Sequence, residues 1–408
     1  MMRRFNKLVF GFATMLALLV GCQRADIPPP APQSPPLVSH VTLDASGVFH
    51  VWPDSLYPIQ AALDAAAENA THKTVRVHTG TYRPQHAGFA LIHLLARHDG
   101  IRLEAEGAVV LTAANQQVSD ANLPSHPAIV NHVVFFGDGI SEKTVLCGFE
   151  ITGASGFVVP PDAVTLDQES THPVLEEKGA FYYLDGGAIK IFGRSYPQLL
   201  DLKVHDNTTR LCGGGVSIEH RDLGTGAVVI RNCVFVDNRC PATGSAVDVL
   251  EGSSAIIENC LFVGNIANYG MDTVKQEFGL IYNEEHGSGA LTVFPRSQVE
   301  VRRCTFTKNW NAVDDRGRGN VYEHCIFAHN DASDGSRKGR PYEIDILDAR
   351  RVKNCFLSGK QGDLRGTIDS SSNRLDAVQP NFDDSFQPLA TEFVDVGYRT
   401  PDKPTRQE

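Results

Sequence analysis

The chain has 408 residues, 42% of them hydrophobic and 21% charged, a balance that excludes a disordered polar tail. Its 37 Lys and Arg face 48 Asp and Glu, giving a net charge of −11. That sign argues against nucleic acid as a partner, because phosphates demand clustered positive charge.

Residues 1–21 read as an export signal. Arg3, Arg4 and Lys7 make a positive start, and residues 8–20 form an apolar stretch too short to span a bilayer. It ends in Leu19-Val20-Gly21-Cys22, which resembles the lipobox of bacterial lipoproteins. The resemblance implies lipidation at Cys22. Gln23, standing where an inner-membrane retention Asp would sit, implies an outer-membrane address, periplasmic or cell-surface. Residues 22–40 contain Pro28-Pro29-Pro30, Pro32, Pro35 and Pro36. Proline locks φ, so this segment reads as a stiff linker before a folded domain over residues 41–408, expected to be a monomer.

Past the linker, Pro58-Ile59-Gln60-Ala61-Ala62-Leu63-Asp64-Ala65-Ala66 predicts a helix. Thr74-Val75-Arg76-Val77 and Gly80-Thr81-Tyr82 open a run of short strands. Self-similarity organises the remainder of the chain. The pattern Cys-x-Phe-x-x-Asn occurs at Cys233/Phe235/Asn238, Cys260/Phe262/Asn265, Cys304/Phe306/Asn309 and Cys325/Phe327/Asn330, with Cys147/Phe149 and Cys355 as degenerate copies. A second pattern precedes several of these: Gly186-Gly187-Ala188-Ile189, Gly214-Gly215-Val216, Gly244-Ser245-Ala246-Val247 and Gly289-Ala290-Leu291. Alternating apolar residues mean strand, and turn residues punctuate the strands. Such units predict a solenoid whose coils stack about 4.8 Å apart, with Cys and Phe in columns and Asn in a ladder.

These elements resemble the right-handed parallel β-helix proteins of the pectate-lyase-like superfamily, and the Gly-Gly-Ala-Ile and Phe-x-x-Asn units are similar to repeats of bacterial polymorphic outer-membrane proteins. The resemblance implies an all-β fold, a right-handed parallel β-helix solenoid with an N-terminal capping helix. It also implies a closing strand over Phe393-Val394-Asp395-Val396-Gly397-Tyr398. The fold hosts lyases, hydrolases, adhesins and inert spacers alike.

The recurring cysteines are expected to pack in the core, where a thiol behaves as a small apolar group. Cys212 and Cys240 fall outside the column one coil apart, and a disulfide between them stays open beside two thiols.

Chemistry is expected on the outward positions of one sheet. Ile189 and Ile191 point in, so Lys190 points out, followed by Ser217, Asp248 and Thr292, and more loosely by Asp314 and Asp345. A Lys base with Ca²⁺ held by Asp is the residue set of a polysaccharide lyase, which removes a proton beside a uronic carboxylate. The candidate catalytic residues are Lys190, Asp248, Asp314 and Arg316, with Asp248, Asp314 and Asp315 as candidate Ca²⁺ ligands. An ordinary solvated face is the alternative, and for residues 313–319 a charged turn satisfied by its own Arg. The interruptions at 156–185 and 266–287 can wall a groove or simply cover the sheet. Tyr269, Tyr282, His286 and His220 are the candidate substrate contacts. The expected function is an outer-membrane-anchored lipoprotein that binds polysaccharide, with β-elimination as a possible activity. The alternative is a non-catalytic adhesin or scaffold.

Overall fold

The computed structural model describes residues 43–53, 58–157, 159, 172–176, 178–279, 288–332, 341–358, 368–375 and 380–401. The signal, the lipidation position Cys22 and the Pro-rich linker lie outside them. The described residues are mostly β, in one sheet of eight strands and one of eighteen. Pairing along both is parallel.

From Ile189 onward the strands come in threes. Ile189–Phe192, Gln198–Leu200 and Lys203–His205 follow one another in the chain. Each pairs in register with its counterpart one repeat later: Val216–Glu219, Val228–Arg231 and Val234–Val236. The same succession continues to Ile344–Ile346, Val352–Lys353 and Phe356–Ser358. The first members of the triplets belong to the eight-stranded sheet, and the second and third to the other.

Two left-handed residues bound the third strand of each repeat. The one before the Cys position is Asp201, Asn232, Asn259, Arg303, His324 or Asn354, and the one before the Asn position is Asp206, Asp237, Gly264, Lys308 or His329, all with positive φ. Asn, Asp and Gly tolerate this region best, which is why the turns draw on them so often. The strand between the bends can be only three residues long.

Inside, the expected columns are present. Phe235, Phe262, Phe306 and Phe327 stack with centroid distances of 5.0, 4.3 and 5.2 Å. Cys233, Cys260, Cys304, Cys325 and Cys355 are buried in the main core as thiols. Their sulfurs donate to backbone carbonyls, as Cys233 does to Arg231 O at 3.2 Å. The Asn ladder runs one rung further back than expected, to Asn207, and through Asn238, Asn265 and Asn309 to Asn330. It ends on Glu343, whose carboxylate accepts from Asn330 Nδ2 at 2.5 Å.

Two expectations need correction. Cys147 is not in the column: Lys203 pairs with Glu150 and with Val234, so Phe149 and Leu202 hold the place of Cys233. Cys147 instead pairs with Leu200, one strand earlier, and its thiol reaches Asp201 at 3.6 Å. Residues 393–398 form no strand. A 3-10 turn, Thr391–Phe393, leads into irregular chain that packs Phe393 and Val396 on Phe356, and Tyr398 on Leu261 and Val263. Of the two alternatives open for Cys212 and Cys240, the structure has the two thiols. The helix expected near Pro58 spans Ile59–Glu68 and buries Ile59, Ala62, Leu63 and Ala66 in the main core.

Candidate functional site

The outward file is a register column. Phe135, Lys190, Ser217, Asp248, Thr292, Asp314 and Asp345 pair in succession along the eight-stranded sheet. It is not an open groove, however. Lys190, Ser217, Asp248 and Asp314 are each 0% exposed. Two helices from the interruptions account for much of the cover. Ala180–Leu184 sets the Tyr182 ring 4.7 Å from Phe192 and 5.7 Å from Phe135. Met271–Phe278 packs Val274 against Leu211, Cys212 and Ala242. Buried there, Lys190 directs Nζ to Glu219 Oε2 at 2.8 Å and donates to Ser217 Oγ at 3.1 Å. An amine enclosed and ion-paired in this way has no path to a polymer, which removes the geometry a lyase base requires.

Asp314 and Asp315 are neighbours on a strand and so face opposite sides. Asp314 accepts from Tyr342 Oη at 2.8 Å and lies 3.3 Å from Arg316 Nε. Arg316 also reaches Asp345 at 3.0 Å. On the other side, Asp315 accepts from Gly317 N at 2.7 Å, Asn320 Nδ2 at 2.8 Å and Tyr322 Oη at 2.8 Å, and burial raises its carboxyl above the usual range despite them. Arg316 of the turn does meet Asp314, but Tyr342 and Asp345 come from the next repeat, and the groups holding Asp315 are Gly317, Asn320 and Tyr322. Asp248, Asp314 and Asp315 therefore do not meet at one point to hold Ca²⁺.

His220, a candidate substrate contact, is buried. Its Nε2 faces Ser195 O at 3.0 Å, and burial lowers it to about 4, so it is neutral near pH 7. Tyr269 is half-buried beyond the last turn of its repeat. Tyr282 and His286 lie outside the described residues.

Among the described residues, the metal-ligating atoms that do converge belong to Asp185, Cys212 and Asp248, all within 4.8 Å of one another and fully buried. Asp185 and Cys212 occupy equivalent places in successive repeats, since Gly186 N donates to Cys212 O at 3.1 Å. Each precedes a left-handed glycine, Gly186 or Gly213. A third glycine, Gly244, is needed for space as well as for φ: a Cβ there would lie 2.4 Å from Asp248 Oδ1.

Sequence reasoning missed a second place. A cleft of about 850 Å³ opens beside the start of the helix, lined by Trp52, Tyr82, Arg83, Gln85, Gln116 and Gln117 among others. Trp52 is 44% exposed and lies flat on His78, with centroids 4.5 Å apart and planes 3° from parallel. His78 is held in turn by His50 at 2.7 Å and Glu106 at 3.3 Å, and His50 by Asp44 at 3.0 Å. That chain of side chains fixes the indole with one face toward solvent. The available signal was a Trp next to Pro53 in a chain holding two Trp, outside every repeat. No protein-family model and no curated protein matches the chain.

Proposed function

We propose that this protein is an exported lipoprotein built as a right-handed parallel β-helix, with the helix Ile59–Glu68 closing its N-terminal end, and that it binds polysaccharide at the Trp52 cleft without cleaving it. The in-register strand triplets support the coil, and right-handed crossovers are the rule for parallel strands. Leu19-Val20-Gly21-Cys22 supports the lipid anchor and the outer-membrane address.

The observation that carries the binding reading is the exposed indole at the cleft edge, ringed by amides and by Arg83. An indole face stacks on the C–H face of a sugar ring, amides bond hydroxyls, and a guanidinium takes a uronic carboxylate in bidentate fashion. The burial of Lys190 speaks against β-elimination. A pure scaffold is the second reading, favoured by ladders that need no ligand to be complete.

Intrinsic fluorescence tests the proposal. Trp310→Phe leaves Trp52 as the sole indole. Titration with polygalacturonate, alginate or pectin should give a saturable change for at least one of them. Trp52→Ala should abolish binding measured by affinity electrophoresis, and Lys190→Met should preserve it. No absorbance from unsaturated ends should develop with Ca²⁺ present. Absence of binding to all three glycans would leave the scaffold reading in place.

A further inference from the structure

We propose that Asp185, Cys212 and Asp248, with Cys240 as the fourth ligand, hold a thiophilic divalent cation such as Zn²⁺ between the eight-stranded sheet and its covering helices. Each carboxylate is oriented by one oxygen and offers the other. Asp185 Oδ1 accepts from Cys212 N at 2.9 Å, and Asp248 Oδ1 accepts from Thr243 Oγ1 at 3.1 Å. The second oxygens, Oδ2 of both, are buried with no hydrogen-bond partner among the described residues. Orphaned carboxylate oxygens in a dry interior are costly, and native structures rarely leave two side by side without a reason. Lys190 donates to Ser217 and pairs with Glu219, and it reaches both carboxylates only through its charge.

The donor set selects the ion. Thiolate with carboxylate suits Zn²⁺ in a closed four-coordinate site, whereas Ca²⁺ takes six to eight oxygens and no sulfur. Cys240 is fully buried, turns its thiol toward Thr243 O at 3.1 Å, and lies close enough to interact with the carboxylates of Asp248 and Asp185. A cation entering the pocket displaces the thiol protons. The Thr243 hydroxyl and the Cys212 amide would act as the outer partners that aim the ligands.

The test uses the full chain, reduced, stripped with chelator and titrated with Co²⁺. One equivalent should raise a thiolate-to-cobalt charge-transfer band and the visible bands of tetrahedral Co²⁺, and one equivalent of Zn²⁺ should displace it. Asp185→Asn and Cys212→Ser should each weaken Co²⁺ binding by about 100-fold or more while circular dichroism stays unchanged. The wild-type band requires no variant to fold. Absence of that band, its persistence in both variants, or a Cys212–Cys240 disulfide in the untreated protein by mass spectrometry would each overturn the proposal.

Discussion

The Asn ladder and the outward file both follow one residue per repeat through much of the same chain, yet they handle buried polarity in opposite ways. In the ladder every rung is the same amide. Asn265, for example, gives Nδ2 to Asn309 Oδ1 at 3.0 Å and to Phe235 O at 2.9 Å, while its own Oδ1 accepts from Asn238. In the file the residue changes at each repeat, from Lys190 to Ser217, Asp248, Thr292, Asp314 and Asp345. Its groups find partners in Glu219, Arg316 and Tyr342, while one oxygen of Asp248, like one of Asp185 on the turn beside it, finds no hydrogen-bond partner among the described residues. Repetition of one self-complementary side chain satisfies itself, so it serves the stack. Variation along a covered file obliges each repeat to solve its own electrostatics, and the unsolved place is where a ligand belongs.

The largest break in this comparison should come from the apolar column beside the ladder. Phe262→Ala removes one of the two inner rings of the stack and should cost about 3–5 kcal/mol in denaturant unfolding. Next is the ladder's terminus. Burial, with the charge of Asp331 adding, raises Glu343 to about 7 against the neighbouring amide that lowers it. The folded state then keeps a proton that the unfolded chain has lost, so its contribution to stability falls as pH rises from about 4.5 to about 7 and levels off above. The span is about 3 kcal/mol. Glu343→Gln should abolish that slope, leaving the variant more stable than wild type at pH 8, and urea midpoints across pH will show it. Asn265→Ala opens the ladder's middle and orphans the groups above and below, at about 2–3 kcal/mol. Smallest is Cys147→Ser. Outside the column it should shift stability by about 0.5 kcal/mol or less, whereas Cys260→Ser should cost more.

The interior was readable because it repeats. Cys, Phe and Asn recur at one spacing, and each left-handed turn recurs with them. Asn207 escaped because Leu202 and Val204 replace Cys and Phe ahead of it, so only the apolar-x-apolar-x-x-Asn skeleton remains. Cys147 misled for the converse reason: it stands two residues before a Phe, but Phe149 occupies the Cys place, and left-handed Gly148 turns the chain between them. For the file, counting by twos correctly said which side chains leave the core. It could not say what lies over them, because the covering helices come from segments whose own period relates to nothing in the repeat. Asp185 went unnoticed since it sits on the turn before the Gly-Gly unit, where alternation has not yet begun.

Lysine acylation of the native protein, mapped by mass spectrometry, tests the covered file most directly. Lys190 should stay unmodified while Lys203, 53% exposed at its side chain, reacts readily. Modification of Lys190 at the rate of Lys203 would mean an open groove, returning that lysine to the surface and contradicting the buried layer on which the non-cleaving reading and the metal site depend.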